Sequence, residues 1–227
     1  MDHLADELGV SGFSEVYFCL EFFSVTIRDN IFISFFMTSR THDLAAFTGL
    51  TLCVAFFALP EMSLATMIGA VGANFIGGLA PDLDEPTAEL WQRIRGGSIL
   101  SRIFAPILGG HRFISHSLFG IWLTDWLLRF CLSRLGDVIL VDMTIMRYSF
   151  LIGYVSHLLT DMLTKEGVPL FFPLSFHIGI PPIKKLRIKT GGIWEKSVIF
   201  PGLILVNGFL IWQYYSKFLY LLSLIKN

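Results

Sequence analysis

Residues 62–80 run without a charged side chain, and residues 197–225 carry only Lys217. Stretches this long and apolar constrain the fold most, because a bilayer core asks for about 20 such residues per helix. Three further apolar runs, 44–59, 113–135 and 148–163, are short or interrupted by polar residues. Backbone groups in hydrocarbon are satisfied only within helices or closed barrels, and no long alternation of period two argues for a barrel. Charged residues make up 15% of the chain and hydrophobic residues 54%, with a mean hydropathy of +0.66. A soluble domain usually has about 25% charged residues, so disorder, a coiled coil and an ordinary soluble enzyme are poor readings. The expectation is an all-α, polytopic membrane helix bundle of about five spans.

The distribution of charge orients these spans. The connection 81–112 holds Arg93, Arg95, Arg102 and Arg112; the connection 165–196 holds Lys165, Lys184, Lys185, Arg187, Lys189 and Lys196. The connection 136–147 is poor in basic residues and contains Asp137 and Asp142. The positive-inside rule then places Arg40 and both long connections in the cytoplasm, and the Pro60 turn, 136–147 and the C-terminus outside. Residues 1–36 stand apart, with acidic residues ahead of an aromatic run and neither a basic n-region nor a small-residue cleavage site, so they are not a signal peptide. Two readings stand for them: an interfacial N-terminal segment, or an extension upstream of a true start at Met37, with 37–227 as the membrane-embedded domain. A net charge of −1 gives no reason to expect direct contact with nucleic acid. Cys19, Cys53 and Cys131 lie in apolar stretches without CxxC spacing, which supports neither a disulfide framework nor a cysteine-rich zinc site.

On this topology the unusual polar residues collect at the cytoplasmic ends of the spans. His42 precedes the first; Asp82 and Asp84 follow the second; His111 and His116 open the third; His157 and Asp161 end the fourth; Glu195 precedes the fifth. His157 and Asp161 share one helix face. Histidine and carboxylate are ligand types for divalent metals, zinc first, with manganese or iron as alternatives. Each residue has a plainer reading: Asp82 and Asp84 as caps of a turn, His111 as a loop histidine, the lysines of 184–196 as anchors beside anionic lipid. The pair His157 and Asp161 resists that reading, because ionisable groups within an apolar helix are costly and are usually functional. His3 and His177 are weaker candidates, the first in the N-terminal segment and the second in a Pro-rich loop.

Five motifs occur in order: Met37-Thr-Ser-Arg-Thr-His42, Gly78-Leu-Ala-Pro-Asp-Leu-Asp84, His111-Arg-Phe-Ile-Ser-His-Ser117, Gly153-Tyr-Val-Ser-His-Leu-Leu-Thr-Asp161 and Gly167-Val-Pro-Leu-Phe-Phe-Pro173. The set resembles the YdjM-like family of membrane-bound, metal-dependent hydrolase-like proteins, also described as LexA-binding and inner-membrane-associated. The resemblance covers about residues 37–200 and implies a multi-pass protein of the bacterial inner membrane with a metal-dependent hydrolase activity.

The expected mechanism is a metal-activated water attacking a phosphoester or lipid-like substrate at the cytoplasmic face. His42, Asp82, Asp84, His111, His116, His157 and Asp161 are the expected ligand set. Asp84 or Asp161 could also bridge or orient ligands, Arg112 would recognise phosphate or carboxylate by its planar fork, and Glu195 would be a ligand or general base. Expected partners are membrane lipid and a cytoplasmic protein. Two rival readings stand beside it: a divalent-cation or proton-coupled transporter, which would need polar residues through the membrane depth and often an inverted repeat, and a non-catalytic anchor for a cytoplasmic partner. The absence of HExxH, GxSxG and GxxxxGK[ST] disfavours a zincin, an α/β-hydrolase and a P-loop NTPase.

Overall fold

The computed structural model describes residues 37–84, 114–135, 141–174, 176–223 and 225–226, all but Met37 within the compact unit Thr38–Asn227. Segment 1–36, the arginines at 93, 95 and 102, His111 and Arg112 lie outside the described residues, as does the side chain of Asp84.

The described architecture is all-α, with six α-helices. Helix α1 is Met37–Phe56, and α2 is Leu64–Leu79, capped by Ser63, whose Oγ accepts from Thr66 N at 3.1 Å. A 3-10 turn, Ala80–Asp84, follows α2. Helix α3 is Leu118–Leu135; its entry is fixed by Ser117, which donates to Ile114 O at 2.6 Å and accepts from Gly120 N at 3.0 Å. Helix α4 is Met143–Met162, capped by Asp142, whose Oδ1 accepts from Thr144 N and Ile145 N. A π-turn, Glu195–Ile199, runs into α5, Phe200–Gln213, and α6 is Tyr215–Ser223. A two-residue parallel pairing joins Met62–Ser63 to Ile225–Lys226.

Two expectations change in detail. The third run was expected to enter its span at Phe113, yet 114–117 form a turn and the helix starts at Leu118, so His116 sits in a loop ahead of the helix. The last run is not one straight rod: Tyr214, at φ −109° and ψ 26°, separates α5 from α6. Among the described residues, the stretches long and apolar enough to cross a membrane are Leu64–Leu83 and Glu195–Gln213. Helices α1, α3 and α4 fall short of that standard, and each carries charged side chains within its length: Arg40 and Asp43, Asp125 and Arg129, Arg147 and Asp161.

Burial is inverted relative to a soluble domain. Among the largest fully buried side chains are His116, His157, Asn74 and Asp161. Meanwhile Trp122, Trp126 and Phe130 on α3, and Leu205 and Trp212 on α5, are exposed. Exposed apolar surface on this scale belongs against an apolar medium or partner. Polar groups between helices are bonded to each other: Asn74 Nδ2 donates to Ser149 O at 3.1 Å, and Asn207 Nδ2 to Thr48 Oγ1 at 2.7 Å. Lys217 Nζ donates to Ala55 O at 2.6 Å and so satisfies a carbonyl at the end of α1.

Helices α2 and α4 form the central pair. A Cβ added at Gly153 would collide with Asn74 O, and one at Gly77 with Phe150 O. Only glycine lets the two backbones approach this closely, the small-residue packing common between membrane helices. That contact sets the axial register between Gly78 on α2 and His157 on α4.

Candidate metal centre

Four helices deliver their polar residues to one end of the bundle. His42 lies in the second turn of α1, Asp82 just after α2, His116 just before α3, and His157 and Asp161 in the last turns of α4. Successive helices are antiparallel in this respect, since a start, an end, a start and an end meet at one level.

The side chains converge. Asp161 Oδ1 lies 3.5 Å from His42 Nε2, while Oδ2 lies 3.4 Å from His116 Nε2 and 3.9 Å from His157 Nε2. Asp82 Oδ1 lies 3.4 Å from His157 Nε2 and 3.8 Å from His116 Nε2. His42 stacks on His157 with ring centroids 4.1 Å apart, and His116 meets His157 edge-on at 5.5 Å. Two donor groups result, His42 with His157 and Asp161, and Asp82 with His116 and His157. Both could hold a metal ion, and they share His157.

Each imidazole is held from behind, at Nδ1. His157 Nδ1 donates to Gly78 O at 2.6 Å. His42 Nδ1 lies 3.0 Å from Thr160 Oγ1, whose own proton goes to the carbonyls of Ser156 and His157. The hydroxyl therefore accepts from His42. His116 Nδ1 lies 3.0 Å from Ser115 Oγ, and the Tyr154 hydroxyl donates to Ser115 O. Placing the ring proton on Nδ1 leaves a lone pair on Nε2, which is how a metal-ligating histidine is usually set.

His157 states the chemistry most directly. It is 1% exposed, its Nδ1 proton is used, and its Nε2 is buried without a hydrogen bond. A lone pair facing a carboxylate oxygen at 3.4 Å is repulsive unless a cation lies between them. An ion with bonds of about 2.0–2.1 Å in tetrahedral geometry sets its donors roughly 3.4 Å apart. The observed spacings of 3.4–3.9 Å fit that requirement.

Glu195 belongs to neither donor group. It is buried, its Oε2 accepts from Gly191 N at 2.7 Å, and it lines a small recess with His42, Thr41, Thr160, Thr164 and Thr190. His177 is exposed in the 165–194 loop. Asp125, a carboxylate in the middle of α3, lies apart from the centre and is neutralised by Arg129 at 2.8 Å and Arg147 at 3.0 Å. Sequence reasoning missed Thr160, Ser115 and the Gly78 carbonyl as the groups that orient the imidazoles. The signal available was adjacency alone, since Ser115 neighbours His116 and Thr160 neighbours Asp161.

The resemblance drawn from the motifs is matched by comparison with known proteins. The protein YvsG of Bacillus subtilis (strain 168) is 28% identical over 171 residues, which cover 75% of this chain and 92% of that protein. The inner membrane protein YdjM of Escherichia coli (strain K12) is 33% identical over 104 residues, or 45% of this chain and 48% of that protein, and YdjM of Shigella flexneri gives the same values. The alignment thus spans about half the length of these two relatives. No solved structure matches the chain. The sequence profile of the YdjM inner membrane proteins matches residues 37–221, a stretch that contains every residue of the converging site, and the chain belongs to that family.

Proposed function

We propose that this protein is a membrane-bound, metal-dependent hydrolase acting on a phosphoester or lipid-like substrate at the cytoplasmic face of a bacterial inner membrane. The observation that carries the reading is His157: a fully buried imidazole whose Nε2 lone pair faces Asp82 and Asp161.

His42, His157 and Asp161, or Asp82, His116 and His157, would hold the ion, zinc by donor type, with His157 common to both groups. When bound, the metal lowers the pKa of a coordinated water toward neutrality and polarises the oxygen under attack. Gly78, Thr160 and Ser115 hold the imidazoles at Nδ1 and aim Nε2 into the centre. The recess beside His42 offers threonine hydroxyls for phosphoryl oxygens, and Glu195, oriented by Gly191, is the carboxylate placed to accept a proton there. Arg112, His111 and Asp84 keep their proposed roles in anion recognition and ligation. The charge pattern of the sequence favours a cytoplasmic site, since the connections 81–112 and 165–196, which border the ligand residues in sequence, are the basic ones.

The test is metal analysis of the detergent-purified protein beside His157→Ala, followed by hydrolysis of a chromogenic phosphodiester and of phospholipid in mixed micelles, with and without chelator. Bound metal that is lost in the variant, with chelator-sensitive turnover, is the expected result. Full metal content in His157→Ala overturns the site. A metal-loaded protein that turns over neither phosphoester nor lipid overturns the hydrolase reading while leaving the site standing.

A further inference from the structure

The segment 165–194 leaves α4 and returns at Glu195, where a helical stretch long enough to cross a membrane begins. Its C-terminal end is therefore tied to the boundary where that stretch begins, and Ile188 pairs back to Leu163 and Lys165 at its start. It is not an open loop. Lys165 N donates to Ile188 O at 2.9 Å, Ile188 N to Leu163 O at 3.0 Å, and Val168 and Ile178 exchange both backbone bonds. Arg187 is buried inside it, with Nε donating to Pro181 O at 2.8 Å and Nη2 to Pro182 O at 3.1 Å.

The outer surface of this folded segment combines two features that water alone does not favour together. Ile183, Leu186, Ile193 and Trp194 are 60%, 66%, 80% and 71% exposed. Lys184, Lys185 and Lys189 are exposed among them, and residues 167–194 contain no acidic side chain. Lysine interleaved with aliphatic residues and tryptophan, at the level where a spanning helix begins, matches a lipid headgroup layer in both polarity and charge.

We propose that segment 165–194 is an anionic-phospholipid-binding surface that lies in the headgroup layer of the leaflet where α5 begins. Its lysines meet lipid phosphates, and Ile183, Leu186, Ile193 and Trp194 enter the boundary with the acyl chains. The occupant is anionic lipid because exposed Lys165, Lys184, Lys185 and Lys189 outweigh the single exposed acid of the segment, Glu166, whereas a second copy of the chain would set like charges against each other. Ile188, Thr190 and Glu195 of this region and its edge also line the recess beside His42, so lipid contact fixes one wall of that recess. The proposal rests on the chain spanning a membrane and is independent of the metal.

The test uses the full chain in lipid nanodiscs of phosphatidylcholine with and without phosphatidylglycerol. The tryptophan emission lost in Trp194→Phe is expected to be quenched by lipids brominated near the top of the acyl chain. In mixed micelles, the triple variant Lys184→Gln, Lys185→Gln, Lys189→Gln is expected to bind phosphatidylglycerol about 100-fold more weakly, roughly fivefold per lysine. Arginine at the three positions should restore binding, and phosphatidylcholine binding should not change. Equal affinity of the wild type for the two lipids, or unaltered phosphatidylglycerol binding by the triple Gln variant, overturns the proposal. So does a Trp194 component that brominated lipid leaves unquenched, as a protein partner or second copy covering the segment would produce. If the triple variant fails to fold, the quenching experiment on the wild type still decides.

Discussion

Asp161→Asn is the sharpest perturbation of the proposed centre. Asp161 is fully buried, and its two oxygens face His42, His116 and His157 at 3.4–3.9 Å. Asparagine keeps the shape and removes the charge. Three neutral imidazoles and two carboxylates balance a divalent cation, and the substitution leaves one uncompensated positive charge in a dry site. Removing one partner from a buried ionic arrangement costs about 3–5 kcal/mol, which weakens metal binding by a factor of about 100 or more. At free metal 100 times the wild-type Kd, bound metal stabilises the folded protein by about 2.7 kcal/mol. In the variant the same metal concentration contributes less than about 0.4 kcal/mol. Chelation should therefore lower the wild-type thermal midpoint by roughly 5–11 °C and leave that of Asp161→Asn almost unmoved. The assay is thermal unfolding of detergent-purified protein with and without chelator, with metal analysis of both samples. A wild-type midpoint that ignores the chelator, or a variant that responds as strongly as the wild type, would refute the reasoning.

Two other outcomes follow from the same geometry. Gly153→Ala drives a methyl group into Asn74 O and should cost about 1–3 kcal/mol, whereas Gly72→Ala, with open space around it, should be neutral or slightly stabilising in the same thermal assay; equal midpoints for the two would remove the close-approach argument. Reporter fusions after Lys189 should read cytoplasmic and one after Asp142 external, and the opposite pattern would place the proposed ligands on the wrong side of the membrane.

His157 and Asp161 were legible in the sequence because helical spacing puts residues four apart on one face, and their polarity conflicts with an apolar run. Asp82 and His116 were legible only by charge counting, which sent their segments to the same side. The break at Tyr214 was not legible, because the residues on both sides are equally apolar and composition carries no record of a local dihedral. Thr160 was missed for a different reason: its partner His42 lies 118 positions away, and no local rule connects the two.

Asp125 sharpens what such a reading can separate. Like Asp161, it is a carboxylate within an apolar helix, and both look costly in the sequence. The difference lies in what surrounds them. Asp125 has Arg129 one turn along its own helix and Arg147 on the next, so fixed cations already balance its charge. The groups brought against Asp161 are imidazoles, and two of these, His42 and His157, spend their Nδ1 protons on a hydroxyl and a carbonyl. A carboxylate faced by imidazole nitrogens suits a shared divalent ion, whereas one held between two guanidinium groups is already balanced. In the sequence, an arginine at the fourth position separates the two cases for Asp125. For Asp161, the imidazoles gathered around it become visible only when four helices are brought to one end.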